Sequence, residues 1–386
     1  MRIPLIILLL VITQATVAQD LTSNQFGKGI KIIAKDSSFS LKFGARFQTL
    51  YEGVYNEVSE NYNDKLLIRR SRLKFEGFAY SPKLEYKIEL GLSNRDVGGA
   101  SPETGNAPRI IFDAVLKWHF KDNWQLWFGQ TKLPGNRERV ISSQKLQFVD
   151  RSLVNSRFNL DRDIGVQLHH KNNFGASVLK QAISISIGEG RNITSDNIGG
   201  YDYTGRIEYL PFGEFASKGD YFGSDLKRES KPKLAFGATY DYNDGASRQR
   251  GQLGSFMSDS LGFVTNDLST YFFDIMFKYN GWSIMSEYAH RESKKSIINT
   301  KFGTGNGFVF QTGYLFKNNF EIAGRYTSIN PIDPDYSSIS KEDEYTLGVS
   351  KYFMGHNLKI QSDLSYRNKS LSDNTFGYRF QIELSI

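Results

Sequence analysis

Long stretches in which apolar and polar residues alternate strictly constrain the fold of this chain more than any other feature of its sequence. From Phe39 to Phe47 every second residue is apolar, and the residues between them are polar or glycine. Successive side chains of a β-strand point to opposite faces, so this period predicts a strand with one apolar and one polar face. About sixteen segments follow the pattern, among them 84–92, 112–120, 234–242, 271–279, 320–326, 358–366 and 376–386.

The connections between the predicted strands alternate between short turns and long polar stretches. Tyr279-Asn280-Gly281 is one of the short turns, whereas residues 98–109, 213–233, 244–268 and 328–344 are long. This order is typical of an up-and-down arrangement, in which consecutive strands are antiparallel neighbours. The sequence contains neither a helical period nor a change of composition that would indicate a second domain.

The alternation fits either a soluble sandwich, whose apolar faces meet in a core, or a membrane barrel, whose apolar face contacts lipid. Tyrosines and tryptophans at predicted strand ends, strands of about ten residues and the absence of cysteine favour the barrel. Segment 376–386 alternates without a break, and because an unpaired edge in lipid is costly, we expect it to pair with the first strand near Leu41. We therefore predict an all-β protein, a transmembrane antiparallel up-and-down β-barrel of about 16 strands.

The first residues are typical of an export signal. Arg2 precedes the apolar stretch Ile3 to Ile12, and Thr16-Val17-Ala18 supplies the small residues that a signal peptidase reads. The apolar stretch is too short for a membrane anchor, since a spanning helix needs about 20 apolar residues. We predict a cleaved signal peptide at residues 1–18, a lead-in segment at 19–37 and the barrel at 38–386.

Composition and charge exclude several classes of function. The 48 Lys and Arg exceed the 41 Asp and Glu, and after removal of the predicted signal the whole excess lies in residues 19–170. Acidic residues are interleaved with the basic ones there, so a nucleic-acid partner is not expected. With no cysteine and five histidines, the chain offers no thiolate chemistry and little histidine chemistry, and we expect neither catalysis nor a cofactor.

Five blocks of sequence follow one another in an order and spacing that resemble a known family; they are 39–44 (FSLKFG), 68–77 (IRRSRLKFEG), 128–134 (FGQTKLP), 148–153 (FVDRSL) and 162–168 (RDIGVQL). They resemble the phosphate-selective porin O and P family of Gram-negative outer membranes. The resemblance implies a sixteen-stranded homotrimeric porin, surrounded by outer-membrane lipid and lipopolysaccharide. It also implies a long third extracellular loop folded into the lumen, and basic residues that guide small anions such as phosphate or polyphosphate.

Two groups of basic residues are candidates for the anion pathway. In block 68–77, strand parity places Arg70, Arg72 and Lys74 on one face, and Arg69 on the other, either above the membrane band or within a local irregularity. The second group lies in the predicted inward loop, 131–162, which holds seven basic and three acidic residues. Guanidinium groups stay ionised and offer planar donor forks to oxyanions. The predicted anion pathway comprises Arg69, Arg70, Arg72, Lys74, Lys132, Arg137, Arg139, Lys145, Arg151 and Arg157.

The same residues fit other interpretations. Each arginine could instead pair with a lumenal carboxylate and brace the loop against the opposite wall. A nonselective or sugar-type porin of the same fold would follow if every one of them were paired. A plugged barrel that acts as an adhesin or assembly partner, and a barrel hydrolase, are further alternatives. The leading hypothesis is a passive outer-membrane channel for small anions.

Overall fold

The computed structural model of the chain describes residues 25–98, 101–105, 108–295 and 301–386. The predicted signal peptide, 1–18, and residues 19–24 of the lead-in segment lie outside these ranges. Among the described residues, no helix has the length and hydropathy needed to span a bilayer. The helices are α1 (Arg137–Val140), α2 (Leu153–Phe158) and the 3₁₀ helices Ser143–Lys145 and Ala216–Tyr221.

The strands are β1 (Ile30–Ile33), β2 (Ser40–Asn56), β3 (Asn61–Ala79), β4 (Ser81–Gly91), β5 (Ile111–Lys121), β6 (Trp124–Lys132), β7 (Arg162–Phe174), β8 (Ser177–Ser186), β9 (Asp202–Leu210), β10 (Lys233–Ala246), β11 (Ser258–Asp259), β12 (Gly262–Phe263), β13 (Asn266–Tyr279), β14 (Trp282–Ser293), β15 (Gly305–Leu315), β16 (Phe320–Pro331), β17 (Glu342–Tyr352), β18 (Leu358–Lys369) and β19 (Thr375–Ser385). Sixteen of them, β2 to β10 and β13 to β19, form one closed antiparallel barrel in which each strand pairs with the next along the chain. Closure leaves the barrel without a free sheet edge. The predicted fold class and strand number are confirmed.

The barrel closes a few residues away from the predicted position. Strand β19 pairs with β2 as far as Ser385, which lies opposite Arg46. The amide of Ile386 then donates to the carbonyl of Ala45 at 2.9 Å. The stretch around Leu41 is covered by β1, which pairs with the same edge of β2. Because β1 continues where β19 stops, the two strands share this edge.

The alternation of side chains gives the barrel an apolar outer face. In β10, Phe236 and Tyr240 are 42% and 44% exposed, whereas Thr239 and Asp241 of the other face are buried. An apolar band exposed over many strands suits contact with lipid. Other members of this band are Phe47, Trp118, Phe128, Ile183, Ile207, Phe273, Leu347 and Leu364.

The lengths of some strands and the order of some connections depart from the predicted pattern. Strands β2 and β3 have 17 and 19 residues, against the predicted ten or so. Short and long connections alternate over most of the barrel, but 57–60 and 370–374 are short where the alternation calls for long ones. Residues 211–232, which follow β9, form a long connection at the end of the barrel that carries the short turns 175–176 and 280–281. This end is called the short-turn end below, and residues 211–232 are called the floor segment.

Candidate functional site

Residues 133–161 connect β6 to β7 and fold into the barrel as an inward loop. The loop contains α1, the 3₁₀ helix Ser143–Lys145 and α2. Ser152 caps α2, since its Oγ accepts a hydrogen bond from the amide of Asn155 at 3.3 Å. A serine at this position satisfies a backbone donor that the helix itself cannot pair. The loop therefore keeps a defined local structure within the lumen.

Helix α2 packs against an apolar patch on the inner face of the barrel. Val154 and Phe158 are fully buried, and burial of one such side chain contributes about 1.5–3 kcal/mol. At Gly307, a Cβ atom would lie 2.7 Å from the ring of Phe158, so the absence of a side chain there makes room for the helix. The inner face, predicted to be polar, is apolar where the loop covers it. The wall residues of this patch are Phe272, Ala289, Val309 and Ile329, from four consecutive strands.

Polar contacts hold the loop along the same wall. The Nε2 atom of Gln147 donates to Ser283 Oγ and Glu321 Oε1, both at 2.8 Å. Its Oε1 atom accepts a hydrogen bond from Gln311 Nε2 at 3.1 Å. These partners lie on β14, β16 and β15, across the barrel from β6 and β7. The loop therefore crosses the lumen and rests on the opposite wall.

Arg137, one of the predicted pathway residues, lies away from the open lumen. Its side chain is completely buried, its Nε atom bonds to Asp274, and its Nη2 atom lies 3.5 Å from Glu208. Nη1 donates to the carbonyl of Asp220 at 3.1 Å. This corrects the sequence prediction: two carboxylates and a carbonyl compensate the charge, and Arg137 braces the loop against the wall. A four-residue helix is too short for its sequence to reveal which face is buried.

A cavity of about 1150 Å³, called the channel below, remains beside the inward loop. Its lining comes from the inward loop, from the floor segment, from β2 to β9 and three of their other connections, and from β18 and β19, while β10 and β13 to β17 contribute none of their described residues. The channel runs along one side of the barrel because the loop fills the other side. The lining includes 21 lysines and arginines but seven aspartates and glutamates. The lining therefore carries a net positive formal charge.

Arg69 and Arg70 both reach this channel because β3 has a bulge at this point. The register of β2 and β3 shifts between Gln48 and Thr49, which leaves Arg69 without a residue opposite it, and a bulge of this kind re-aims a side chain. Nη2 of Arg69 lies 2.7 Å from Asp150 of the inward loop, and Nη2 of Arg70 lies 3.1 Å from it. Burial alone would favour neutral Asp150, but the two guanidinium groups outweigh it and hold the pKa of this carboxyl well below its ordinary value. The opposite-face assignment of Arg69 was wrong, and the local irregularity is the correct alternative.

Four more predicted residues line the channel with a carboxylate partner. Nη1 of Arg72 lies 3.0 Å from Glu89, and its Nε atom lies 2.9 Å from Asp96. Because each partner offsets part of the positive charge, these residues agree with the bracing interpretation. The other three pairs are Lys74–Glu76, Arg139–Asp161 and Arg157–Glu342.

Lys132, Lys145 and Arg151 differ, since within the described ranges no carboxylate lies within 4.0 Å of their cationic groups. Nζ of Lys132 donates to the carbonyls of Arg139 at 2.7 Å and of Ile141 at 3.4 Å. Nη2 of Arg151 donates to the same Ile141 carbonyl at 2.6 Å. Carbonyls at the end of a helix carry only partial negative charge. Most of the positive charge of these side chains therefore remains uncompensated.

Lys145 lies where the inward loop meets the floor segment. Its Nζ atom is 3.8 Å from the centre of the Phe222 ring, and its carbonyl accepts a hydrogen bond from the amide of Gly223 at 2.8 Å. Burial, followed by the charges of Lys74 and Lys218, lowers the pKa of Lys145 to about 8. Lys145 is therefore mostly protonated at neutral pH and loses its charge in mildly alkaline solution.

Further channel-lining cations escaped the sequence analysis. Lys117, Arg191 and Lys218 have no carboxylate within 4.0 Å in the part of the chain that the structure covers. Alternation places Lys117 on the polar face of β5, so the sequence did contain a signal for it, whereas Arg191 and Lys218 lie in long connections where parity says nothing. The remaining lining cations, each with a carboxylate partner, are Arg46, Lys87, Arg95, Arg162, Lys171, Lys180, Arg206, Arg367 and Arg379.

The histidines of the channel wall have packing partners. His169 stacks on Trp127 with ring centres 4.0 Å apart, and His170 stacks on Trp124 at 3.8 Å. Among the residues that the structure describes, no three His, Asp or Glu side chains converge in a way that could hold a metal ion.

Known proteins share both the sequence pattern and the barrel. The chain matches the family described as phosphate-selective porin O and P over residues 41–376. An uncharacterised protein of Aquifex aeolicus (strain VF5) is 22% identical over 359 residues, which cover 85% of this chain and 82% of that protein.

Three solved structures have the same fold at low sequence identity. The anion-selective porin from Comamonas acidovorans has a TM-score of 0.57 and 11% identity, with 90% of this chain and 100% of that chain covered. The outer membrane channel DcaP of Acinetobacter baumannii has a TM-score of 0.56 and 13% identity, covering 92% and 99%. OmpT of Vibrio cholerae in its trimer form has a TM-score of 0.53 and 11% identity, covering 90% and 99%.

Proposed function

The chain belongs to the phosphate-selective porin O and P family, and we propose that it is a passive channel for small anions such as phosphate or polyphosphate. Family and fold make it an outer-membrane channel; the proposal concerns what passes through it. The observation that carries the proposal is the threefold excess of cations over carboxylates in the channel lining, 21 against seven.

The cations in the lining divide into two groups with different roles. Most are paired with carboxylates and hold the wall and the inward loop in place. Six have no carboxylate within 4.0 Å among the described residues, and these supply the attraction for an anion. At an effective dielectric of about 20, two charges 4 Å apart interact by about 4 kcal/mol. Several moderate sites of this kind let an ion enter and leave, and no covalent step is involved. The six residues are Lys117, Lys132, Lys145, Arg151, Arg191 and Lys218.

Recordings from the purified protein in planar lipid bilayers test the proposal. In a KCl gradient, the reversal potential is expected to have the sign of anion preference, and added phosphate is expected to reduce the chloride current because both ions compete for the same cations. A reversal potential near zero together with no effect of phosphate would instead identify a nonselective or sugar-type porin. Absence of any conductance would favour the plugged barrel.

The proposal includes a homotrimer in contact with lipid and lipopolysaccharide. A trimer form of the structurally similar OmpT supports the trimer, and the exposed apolar band supports the lipid contact. Light scattering of the detergent-solubilised protein should give three times the mass of one chain. A monomeric mass in several mild detergents would remove this part of the proposal.

Export by a cleaved signal peptide is also part of the proposal. The apolar stretch Ile3 to Ile12 and the small residues Thr16-Val17-Ala18 support cleavage before Gln19. The intact mass of the protein purified from outer membranes should correspond to a chain that begins at Gln19. Retention of Met1 in that material would contradict it.

A further inference from the structure

The floor segment, residues 211–232, enters the lumen from the short-turn end and lies against the inward loop. Connections at the short-turn end of an up-and-down barrel are ordinarily tight turns. Here Pro211 follows the end of β9 and Pro232 precedes β10, and proline cannot donate a backbone hydrogen bond to a neighbouring strand. The two prolines therefore lie where strand pairing stops, and the chain between them crosses the lumen.

Lys278 of β13 fastens this segment to the wall. Its Nζ atom donates to the carbonyls of Gly219, Phe222 and Ser224 at 2.8, 2.9 and 2.7 Å. An ammonium group has three N–H donors, so these contacts use all of them. The side chain of Lys278 is buried. Because all three donors of this buried cation bind carbonyls of the floor segment, Lys278 holds the backbone of that segment in a fixed position.

Ion pairs and hydrogen bonds attach the segment to the wall on both sides of the lumen. Asp220 Oδ2 lies 2.6 Å from Nζ of Lys180 on β8, and the hydroxyl of Ser224 donates to Glu321 Oε2 on β16 at 2.6 Å. The anchoring strands lie far apart around the barrel. The segment therefore spans the lumen as a floor, and not as a flap attached at one edge.

The floor segment and the inward loop meet in close contact. The amide of Gly223 donates to the carbonyl of Lys145 at 2.8 Å. A Cβ atom at Gly223 would lie 2.5 Å from the amide nitrogen of Gln147, so the approach requires glycine. The carbonyl of Asp220 also accepts a hydrogen bond from the buried Arg137. The two segments thus support one another, and the channel passes beside both.

Lys218 lies on a strained turn of the floor segment, at the channel. Ser217 and Lys218 both have left-handed backbone, with φ of 55° and 59°, a region that residues with side chains rarely adopt. Lys218 is exposed and belongs to the channel lining. Strain of this kind persists where surrounding contacts enforce it, often at functional positions.

We propose that the floor segment is a second selectivity element, which narrows the channel at the short-turn end and places Lys218 beside the path of permeating anions. This inference rests on the proposed anion channel and adds a determinant outside the inward loop. An anion that has passed the loop then meets Lys218 and Lys145, which both line the same channel. The cation of Lys218 offers it a further moderate site.

Charge reversal at two lysines of the floor segment tests the selectivity part. Lys218→Glu is expected to lower the ratio of anion to cation permeability by about threefold. Lys227→Glu is the matched control, because Lys227 is an exposed lysine of the same segment outside the channel lining, and it should retain the ratio of the unmodified protein. Equal ratios of anion to cation permeability in the unmodified protein and in both variants would overturn the inference.

Conductance tests the narrowing. Lys278→Met removes the three donors at similar side-chain length and should loosen the floor, so that single-channel conductance rises. Lys317→Met, on the exposed short turn 316–319, should leave it unchanged. A folded Lys278→Met protein with unaltered conductance would contradict the narrowing. If that variant does not fold, the permeability ratio of Lys218→Glu decides whether the floor segment is a selectivity element. Lack of anion preference in the unmodified protein would instead overturn the proposed function.

Discussion

Lys132 and Arg151 donate to one and the same carbonyl oxygen, that of Ile141, at 3.4 and 2.6 Å. The two cationic groups therefore lie side by side at the surface of the inward loop. In the described part of the chain no carboxylate lies within 4.0 Å of either. Two like charges held together in this way repel each other, and an oxyanion beside them relieves that repulsion.

Removal of both charges should weaken the effect of phosphate on the chloride current. For the double variant Lys132→Gln, Arg151→Gln we expect the phosphate concentration that halves the current to rise by about tenfold, which corresponds to about 1.4 kcal/mol. The measurement is a phosphate titration of single-channel current. Lys317→Gln, a lysine on an exposed short turn, serves as the control. An unchanged titration curve in the double variant would exclude these two residues as the main phosphate contact.

Neutralisation of Asp150 should strengthen the effect of phosphate on the chloride current. This carboxylate lies between Arg69 and Arg70, so Asp150→Asn leaves both guanidinium groups with more uncompensated charge. We expect phosphate to block the current at lower concentration and to dissociate more slowly, because a site that binds too well slows conduction. Asp122→Asn, on the exposed turn between β5 and β6, is the matched control. Weaker block in Asp150→Asn would indicate that the carboxylate mainly positions the loop.

Arg137 should determine stability and have little influence on selectivity. Arg137→Met leaves Asp274 and Glu208 buried without this cation, and the loss of one partner of a buried pair costs about 3–5 kcal/mol. The temperature at which the folded barrel loses its fast electrophoretic mobility should fall. Reversal potentials of channels that remain folded should stay near those of the unmodified protein. A shifted reversal potential with intact stability would contradict the bracing role.

The apolar contact of α2 should keep the inward loop in place. Phe158→Ala creates a cavity in the patch that holds the loop, at a cost of about 3–5 kcal/mol. We expect larger and noisier single-channel currents, because the loop leaves its position part of the time. Phe316→Ala, an exposed phenylalanine in a turn, is the control. Currents as quiet as those of the unmodified protein would show that the polar contacts of Gln147 suffice.

Anion preference should decline in alkaline solution through Lys145. Burial lowers the pKa of this lysine to about 8, so its charge is present below that pH and is lost as the pH rises through it. Reversal potentials measured from about pH 7 to pH 9 should move toward zero. Lys145→Arg should remove this component, since arginine stays charged over the whole range. An identical pH dependence in that variant would assign the effect to other groups.

The barrel itself could be predicted because most of its strands show the same alternation of apolar and polar residues, so that each strand supports the same conclusion. Single positions were less predictable. Parity fails at Arg69, because one extra residue in β3 reverses the expected face of Arg69 and of the residues that precede it in the strand. The burial of Arg137 and the contact between the floor segment and the inward loop depend on residues more than 50 positions apart. Periodicity within one strand carries no information about such contacts.

The inward loop rests on β13 to β16 and leaves the channel to β2 to β9, β18 and β19. Inner positions of the first group, such as Val309, are therefore constrained in side-chain volume, as in the interior of a soluble domain. Inner positions of the second group, such as Lys117, face the channel, so their charge matters more than their size. Permeation can thus be engineered by substitutions on the strands that face the channel, while the strands that carry the inward loop are left unchanged as a rigid support.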